Sequence, residues 1–224
     1  MKRYYTLYKE YFSNKRFVAS VVLSFLLLFV GLIINYYAGT YATLSASNHV
    51  SDIILDNIPV FHLENSFMYG PVVLWFFVII LCLRDPKKIP FVLKSIALFI
   101  LVRSIFITLT HIGPFPDRMV ITDPSVFMRD FTFGGDLFFS GHTGIPFLLA
   151  LVFSRNKKLR ILFFLTSLFF GVVVLLAHVH YTIDVLSAFF ITYTIYKISC
   201  FLFKEDERLF VDGLKNPSLP DKKA

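Results

Sequence analysis

The chain has 224 residues, 56% hydrophobic and only 17% charged, with 28 phenylalanines and 11 tyrosines. The apolar residues come in long runs, which excludes an ordinary soluble domain and implies a polytopic membrane protein. A net charge of +7 would suit a nucleic-acid partner, but the basic residues cluster beside the apolar runs. There they serve as topology signals and contacts to anionic lipid, so no nucleic-acid partner is expected. Cys82 and Cys200 both fall inside apolar runs and offer no disulfide or metal pattern.

In chain order, residues 1–16 form a basic amino terminus carrying Lys2, Arg3, Lys9, Lys15 and Arg16. An uncharged run follows from Phe17 to about Gly39. It exceeds the roughly 7–15-residue core of a signal peptide and reads as a retained first span. The loop from Thr40 to Ser66 carries Asp52, Asp56 and Glu64 and no Lys or Arg. A second span covers about Phe67 to Leu83, and Arg84, Asp85, Lys87 and Lys88 make a tight basic turn. Pro90 suits the opening of a third span, about Phe91 to Thr110. Within it, Lys94 lies near the basic end and is expected to snorkel. Arg103 lies roughly 10 Å from the far end at the helical rise.

The longest loop, His111 to Asp136, contains Pro114, Pro116, Pro124 and the pair Gly134-Gly135. A fourth span is expected from near Leu137 to Phe153, a basic turn at Arg155, Lys157, Lys158 and Arg160, a fifth span at Ile161 to Ala177 and a sixth at Ile183 to Phe203. The charged tail, 204–224, reads as mobile. The fold expected is therefore all-α: a six-helix membrane domain over 17–203, flanked by a cytoplasmic amino terminus and a cytoplasmic tail. The amino terminus, both short turns and the tail hold nearly all the Lys and Arg, which satisfies the positive-inside rule at every loop. This orientation puts the His111–Asp136 loop, His142, His180 and Asp184 on the outer face, with Arg103 just beneath.

Three polar elements converge at that depth. Arg103 is in the third span, Ser140-Gly141-His142-Thr143 opens the fourth, and His178-Val179-His180-Tyr181-Thr182-Ile183-Asp184 joins the fifth and sixth. Spans four and six both begin there, so their positive dipole ends and free N–H groups make an anion cradle. Ser140 suits an N-cap, and Gly141 lets the backbone approach closely. Four residues separate His180 from Asp184. Either both project from one helix face, or Thr182 caps the helix and Asp184 lies in its first turn. The plainer alternative is that Asp184 only complements the helix dipole. Arg103 has a phosphate as its natural partner, or else a structural pair with Asp184 or Asp136.

Two histidines and a carboxylate beside an anion cradle suit phosphoryl chemistry. One imidazole attacks phosphorus, the other protonates the leaving alkoxide, and Asp184 fixes the tautomer of the attacking ring. A zinc site from His142, His178, His180 and Asp184 is disfavoured, because His178 and His180 would face opposite ways on a helix. No metal and no other cofactor is expected. A transporter would show broken helices near mid-bilayer, often in related halves; here the polar groups share one outer depth and no half-repeat is visible.

The stretches Gly135-Asp136-Leu137-Phe138-Phe139-Ser140-Gly141-His142-Thr143 and Leu176-Ala177-His178-Val179-His180-Tyr181-Thr182-Ile183-Asp184-Val185 resemble the sphingomyelin synthase family. That family lies within the lipid phosphate phosphatase (type 2 phosphatidic acid phosphatase-like) superfamily. Weaker agreement covers Arg103 to Pro114 and Asp52 to Asp56. The resemblance implies a triad of His142, His180 and Asp184, with the position of His180 as nucleophile and that of His142 as acid and base. Arg103, Ser140, Gly141, Asp136 and Tyr181 are the implied substrate-binding positions. The implied partners are membrane lipids: a glycerophospholipid donor of the phospho-headgroup and ceramide or diacylglycerol as acceptor. A lipid phosphate hydrolase with the same site is the alternative. The aromatic residues Phe138, Phe139 and Tyr181 are expected to restrict water and to face a choline-type cation. The sequence departs from the family where Asn48-His49-Val50-Ser51-Asp52 stands in place of a proline-rich motif, and it lacks the motifs of the soluble-type phosphatases, with Val173-Val174 where their Ser-Arg would fall. The compact form suits a bacterial inner-membrane protein.

The charge distribution predicts that reporters fused at Lys88 and Arg155 read cytoplasmic and one near Asp123 reads outside. A cytoplasmic reading near Asp123 would move the site to the opposite leaflet.

Overall fold

The computed structural model describes residues 2–119 and 134–214, and every regular element among them is helical. The helices are α1 (Lys2–Phe12), α2 (Lys15–Leu44), α3 (Glu64–Arg84), α4 (Ile89–Leu109), α5 (Gly141–Val152), α6 (Lys157–Leu176), α7 (Thr182–Leu202) and α8 (Lys204–Asp212). Short 3₁₀ turns lie at Leu55–Asn57 and Pro86–Lys88. Local signals set several of the starts. The Asn14 side chain accepts the Arg16 and Phe17 amides ahead of α2, and Asn156 accepts the Leu159 amide ahead of α6. Pro90 sits in the first turn of α4, where its missing N–H costs nothing.

Among the described residues, five segments are long and apolar enough to cross a membrane: Lys15–Leu44, Glu64–Arg84, Pro86–Leu109, Lys157–Leu176 and Thr182–Leu202. The expected fourth span is shorter than the rest. The α5 helix has 12 residues, about 18 Å at the helical rise, against a hydrocarbon thickness of about 30 Å. It begins at Gly141 because residues 134–140 form an irregular approach held by side chains of α4 and α2.

The central element is α4. Its apolar stretch is 56% buried within the bundle, against 22–33% for the other four. It packs along α2 and touches α5, α7 and α8. Phe91, Ile96 and Phe99 of α4 interlock with Leu148 and Leu149 of α5 and Phe163 and Phe170 of α6 in one core cluster. Gly144 permits the α4–α5 approach: a Cβ there would meet the Phe99 ring at 2.6 Å. Outward residues such as Phe29, Val73 and Phe190 are largely exposed, as lipid-facing positions must be in a fold whose solvent is hydrocarbon.

Three features of this frame were not expected. Residues 2–12, part of the basic amino terminus for which no helix was expected, form α1, and the Tyr8 hydroxyl donates to Leu83 O at 2.7 Å. The start of the tail is an ordered helix, α8, with Phe210 packed on Phe91 and Phe153. Lys94 does not snorkel to water. Its ammonium is buried and donates to Asp206 Oδ2 of α8 at 2.6 Å and to Ser20 Oγ at 2.8 Å, while Ser20 in turn donates to Asp206. Inside a bilayer a buried cation needs a partner, and the tail supplies it.

Removing one member of such a pair strands the other charge, at a cost of roughly 3–5 kcal/mol, whereas replacing both with apolar residues is close to neutral. Asp206→Ala is therefore expected to lower the unfolding temperature in detergent sharply, and Lys94→Met with Asp206→Leu to recover most of it. Equal losses in the single and double variants would contradict this.

Candidate active site

The site is built at the end of the bundle where α5 and α7 begin. Ser140 is the N-cap of α5, and its hydroxyl accepts the Thr143 amide at 3.4 Å, as its residue type suggested. At the start of α7 the N-cap is Tyr181, one residue earlier than Thr182. His180 therefore precedes the helix and Asp184 lies in its first turn. The Asp184 carboxylate is fully buried. Its Oδ2 accepts the Tyr181 amide at 2.9 Å and lies 3.4 Å from His180 Nδ1. The two motifs are joined directly, because the Ser140 amide donates to the Asp184 carbonyl at 3.1 Å.

That bond sets the two histidines facing one another. The His142 and His180 rings are 6.5 Å apart between centroids and inclined at 62°. His142 is stacked on Phe67 of α3, with centroids 4.4 Å apart, and meets the edge of Phe170 of α6. His180 is held from behind by Asp184, so its Nε2 is the nitrogen left for chemistry. Nothing in the sequence marked Phe67 or Phe170 as ring supports, since an aromatic residue in an apolar run carries no sign of what it touches.

Arg103 lies against the first turn of α5, where a Cβ on Gly141 would stand 3.5 Å from its Nε. That is ordinary contact, so the guanidinium alone does not demand glycine there. Of the partners weighed for Arg103, Asp136 is the one engaged: Nη2 contacts Asp136 Oδ2 at 3.1 Å and also donates to the Asp136 carbonyl, while Nε donates to the Phe139 carbonyl at 2.8 Å. Arg103 thus holds the approach to α5 onto α4. Its Nη1 carries no hydrogen bond among the described residues.

The aromatic residues behave differently from expectation. Phe139 is fully buried against Phe99 and Phe106, and Phe138 packs beside Phe106. Tyr181 is 2% exposed, and its hydroxyl donates to the Gly113 carbonyl at 2.8 Å. Phe139 and Tyr181 are therefore structural and do not present a ring face to a cation. His178 adopts a left-handed backbone at φ 54° and packs edge-on to Phe115. Burial lowers its pKa against the opposing pull of Asp117, Asp52 and Asp56. No group of three or more His, Cys, Asp and Glu among the described residues lies close enough together to hold a metal ion.

A further acid, Asp52, was legible in the sequence as a residue of the acidic loop and in the weaker part of the resemblance, without a role. Asp52 Oδ2 accepts the Thr182 amide at 2.6 Å, and Oδ1 accepts the Thr182 hydroxyl at 2.7 Å. Partial burial pushes its carboxyl up, but these bonds and those from the Ile54 and Leu55 amides outweigh it and hold the group below the usual carboxylate range. Residues 120–133 of the long loop, including Pro124 and Arg129, lie outside the described residues.

Comparison with known families gives one match. Residues 134–200 fit the family model described as PAP2 superfamily C-terminal. The match runs from the approach to α5 through most of α7. It therefore contains Asp136, Ser140, Gly141, His142, His180 and Asp184 and leaves Arg103 outside. It supports the lipid phosphate phosphatase-like superfamily and hence a membrane lipid enzyme of phosphatase or phosphotransferase type. Neither the curated proteins nor the solved structures contain a match to the chain.

The contacts of Arg103 make a stability prediction. Arg103→Ala leaves the partly buried Asp136 carboxylate and two carbonyl oxygens without their donor, at a cost of roughly 1–3 kcal/mol. A clear fall in the unfolding temperature is expected in the absence of any lipid substrate. An unchanged unfolding temperature with lost activity would mean that Arg103 serves only a bound phosphate.

Proposed function

We propose that the chain is a sphingomyelin synthase-like phosphotransferase, which moves a phospho-headgroup from a glycerophospholipid to ceramide or another lipid alcohol. The observation that carries this reading is the facing pair His142 and His180 at the amino ends of α5 and α7, with Asp184 behind His180.

In the first half-reaction Asp184 holds the Nδ1–H of neutral His180, and Nε2 attacks phosphorus. The P–N bond forms as the bond from phosphorus to the diacylglycerol oxygen breaks. Protonated His142 gives its proton to the departing alkoxide. In the second half-reaction neutral His142 takes the proton of the acceptor hydroxyl. The acceptor oxygen attacks phosphorus, the P–N bond breaks, and His180 returns to its starting state. The first amides and positive end of α5 supply charge stabilisation for the phosphoryl oxygens, and Arg103 beside Gly141, whose Nη1 has no partner among the described residues, is the side-chain donor next to them.

The basic residues of the two short turns and the tail support placing this site on the outer face of the membrane. A site at the hydrocarbon boundary keeps both acyl chains of the donor in the bilayer. After diacylglycerol leaves, a second lipid with its hydroxyl at the same depth fills the gap more readily than water. The PAP2 match favours a second reading, in which water is the acceptor and the protein is a lipid phosphate hydrolase.

The two readings separate in bilayers that contain headgroup-labelled phospholipid and increasing ceramide or diacylglycerol. Label is expected on the acceptor lipid faster than as free phospho-alcohol. Dominant release of free phosphate or phospho-alcohol at every acceptor level would make the protein a hydrolase. In the same assay His180→Ala is expected to abolish turnover, His142→Ala to slow it by roughly 10²–10⁴, and Asp184→Asn by about 10⁴, by analogy with a catalytic-triad aspartate.

A further inference from the structure

The amino terminus of α7 meets two carboxylates, one from its own first turn and one from far along the chain. Asp184 takes the Tyr181 amide. Asp52, 130 positions before Thr182, takes the next amide and the Thr182 hydroxyl. Asp52 is itself fixed, because its Oδ1 accepts the Ile54 amide at 2.9 Å and the Leu55 amide at 3.2 Å. Leu55 is 2% exposed and packs in one small cluster with Tyr181, Phe115 and Leu137. The Val50 amide donates to the Tyr181 hydroxyl at 3.3 Å, and that hydroxyl donates to Gly113. The segment 50–55 therefore grips Tyr181 and Thr182 from both ends, at the two residues that separate His180 from Ile183 and Asp184.

We propose that Asp52 is a positioning residue of this site: by accepting the Thr182 amide and hydroxyl, it keeps the Asp184 carboxylate on His180. The reason is competition for acceptors at a helix end. The first N–H groups of a helix have no partner within it and carry the positive end of its dipole. Asp184 Oδ2 already serves the Tyr181 amide and His180 Nδ1, and its Oδ1 has no partner among the described residues. With Asp52 in place the Thr182 amide is satisfied. Without it, the other carboxylate at this helix end is Asp184, and a turn toward Thr182 takes Oδ2 off the imidazole. The catalytic consequence rests on the phosphotransferase reading above; the contact itself does not.

The test has two arms on the full chain in detergent or bilayer. Asp52→Asn keeps the shape of the side chain and removes its charge. In the first arm, residue-resolved hydrogen exchange without lipid substrate follows the amides of Tyr181 and Thr182. Faster exchange of both is expected, since the Tyr181 amide reports where Asp184 sits. Faster exchange of Thr182 alone, or of neither, overturns the proposal. In the second arm, turnover is measured on phosphatidylcholine vesicles containing ceramide for wild type, Asp52→Asn, Asp184→Asn and the double variant. The kcat of Asp52→Asn is expected to fall on the order of tenfold with KM little changed, the scale of coupling between contacting residues. The double variant is expected to be no slower than Asp184→Asn. Additive losses would show that Asp52 acts independently of Asp184, and would overturn the proposal. A wild type that transfers or releases no headgroup contradicts the phosphotransferase reading, and the exchange result then decides the role of Asp52 alone.

Discussion

A carboxylate with no exposed surface is tolerable only where donors compensate it. At Asp184 those donors are the Tyr181 amide, the His180 imidazole and the positive end of α7. The same residue offers its carbonyl to the Ser140 amide, which caps the start of α5 from outside. One residue thus contacts His180 Nδ1 and anchors the start of the helix that carries His142. The register of α5 against α7 is set by this junction, so the spacing of the two imidazoles follows from it.

The rest of the bundle supports that junction from α4. Its two basic residues, Lys94 and Arg103, stand nine positions apart, about 13 Å along the axis. Neither is free in the bilayer. Lys94 pins the carboxy-terminal helix through Asp206, and Arg103 pins the approach to α5 through Asp136 and the Phe139 carbonyl. Lys94–Asp206 is a buried ion pair and Arg103–Asp136 a partly buried one. Such pairs add little net stability, but losing one partner is expensive, so they fix which segments dock where. The result is a pillar with two polar anchors and a tightly packed apolar core between them that includes Ile96 and Phe99.

The helices were legible wherever a long apolar run met a strong punctuating residue. Pro90, Ser140 and the basic turns marked boundaries close to those observed, because the physics there is local. The shortness of α5 was not legible, since Leu137, Phe138 and Phe139 are apolar enough to continue a span and leave it only because Arg103 claims the neighbouring carbonyls. Helix α1 was missed because its apolar residues are interleaved with charge. The Lys94–Asp206 and Asp52–Thr182 contacts span 112 and 130 positions, and no spacing rule reaches that far. For the site, the histidines and Asp184 stood out because ionisable residues at the edge of an apolar run are costly. The aromatic residues beside them were read as facing substrate, whereas Phe139 and Tyr181 are buried, and an aromatic ring gives no sequence sign of which side it turns.

The central claim is that His180, set by Asp184 and opposed by His142, carries the phospho-headgroup between two lipids. The most direct measurement is rapid quenching of the enzyme with headgroup-labelled phospholipid in acceptor-free bilayers, followed by peptide mass spectrometry under conditions that preserve phosphoramidates. The account predicts a phospho-headgroup adduct on the peptide containing His180 in wild type, consumed when ceramide is added and absent from His180→Ala. Turnover with no adduct on His180 at any quench time, or an adduct on another residue, would contradict it.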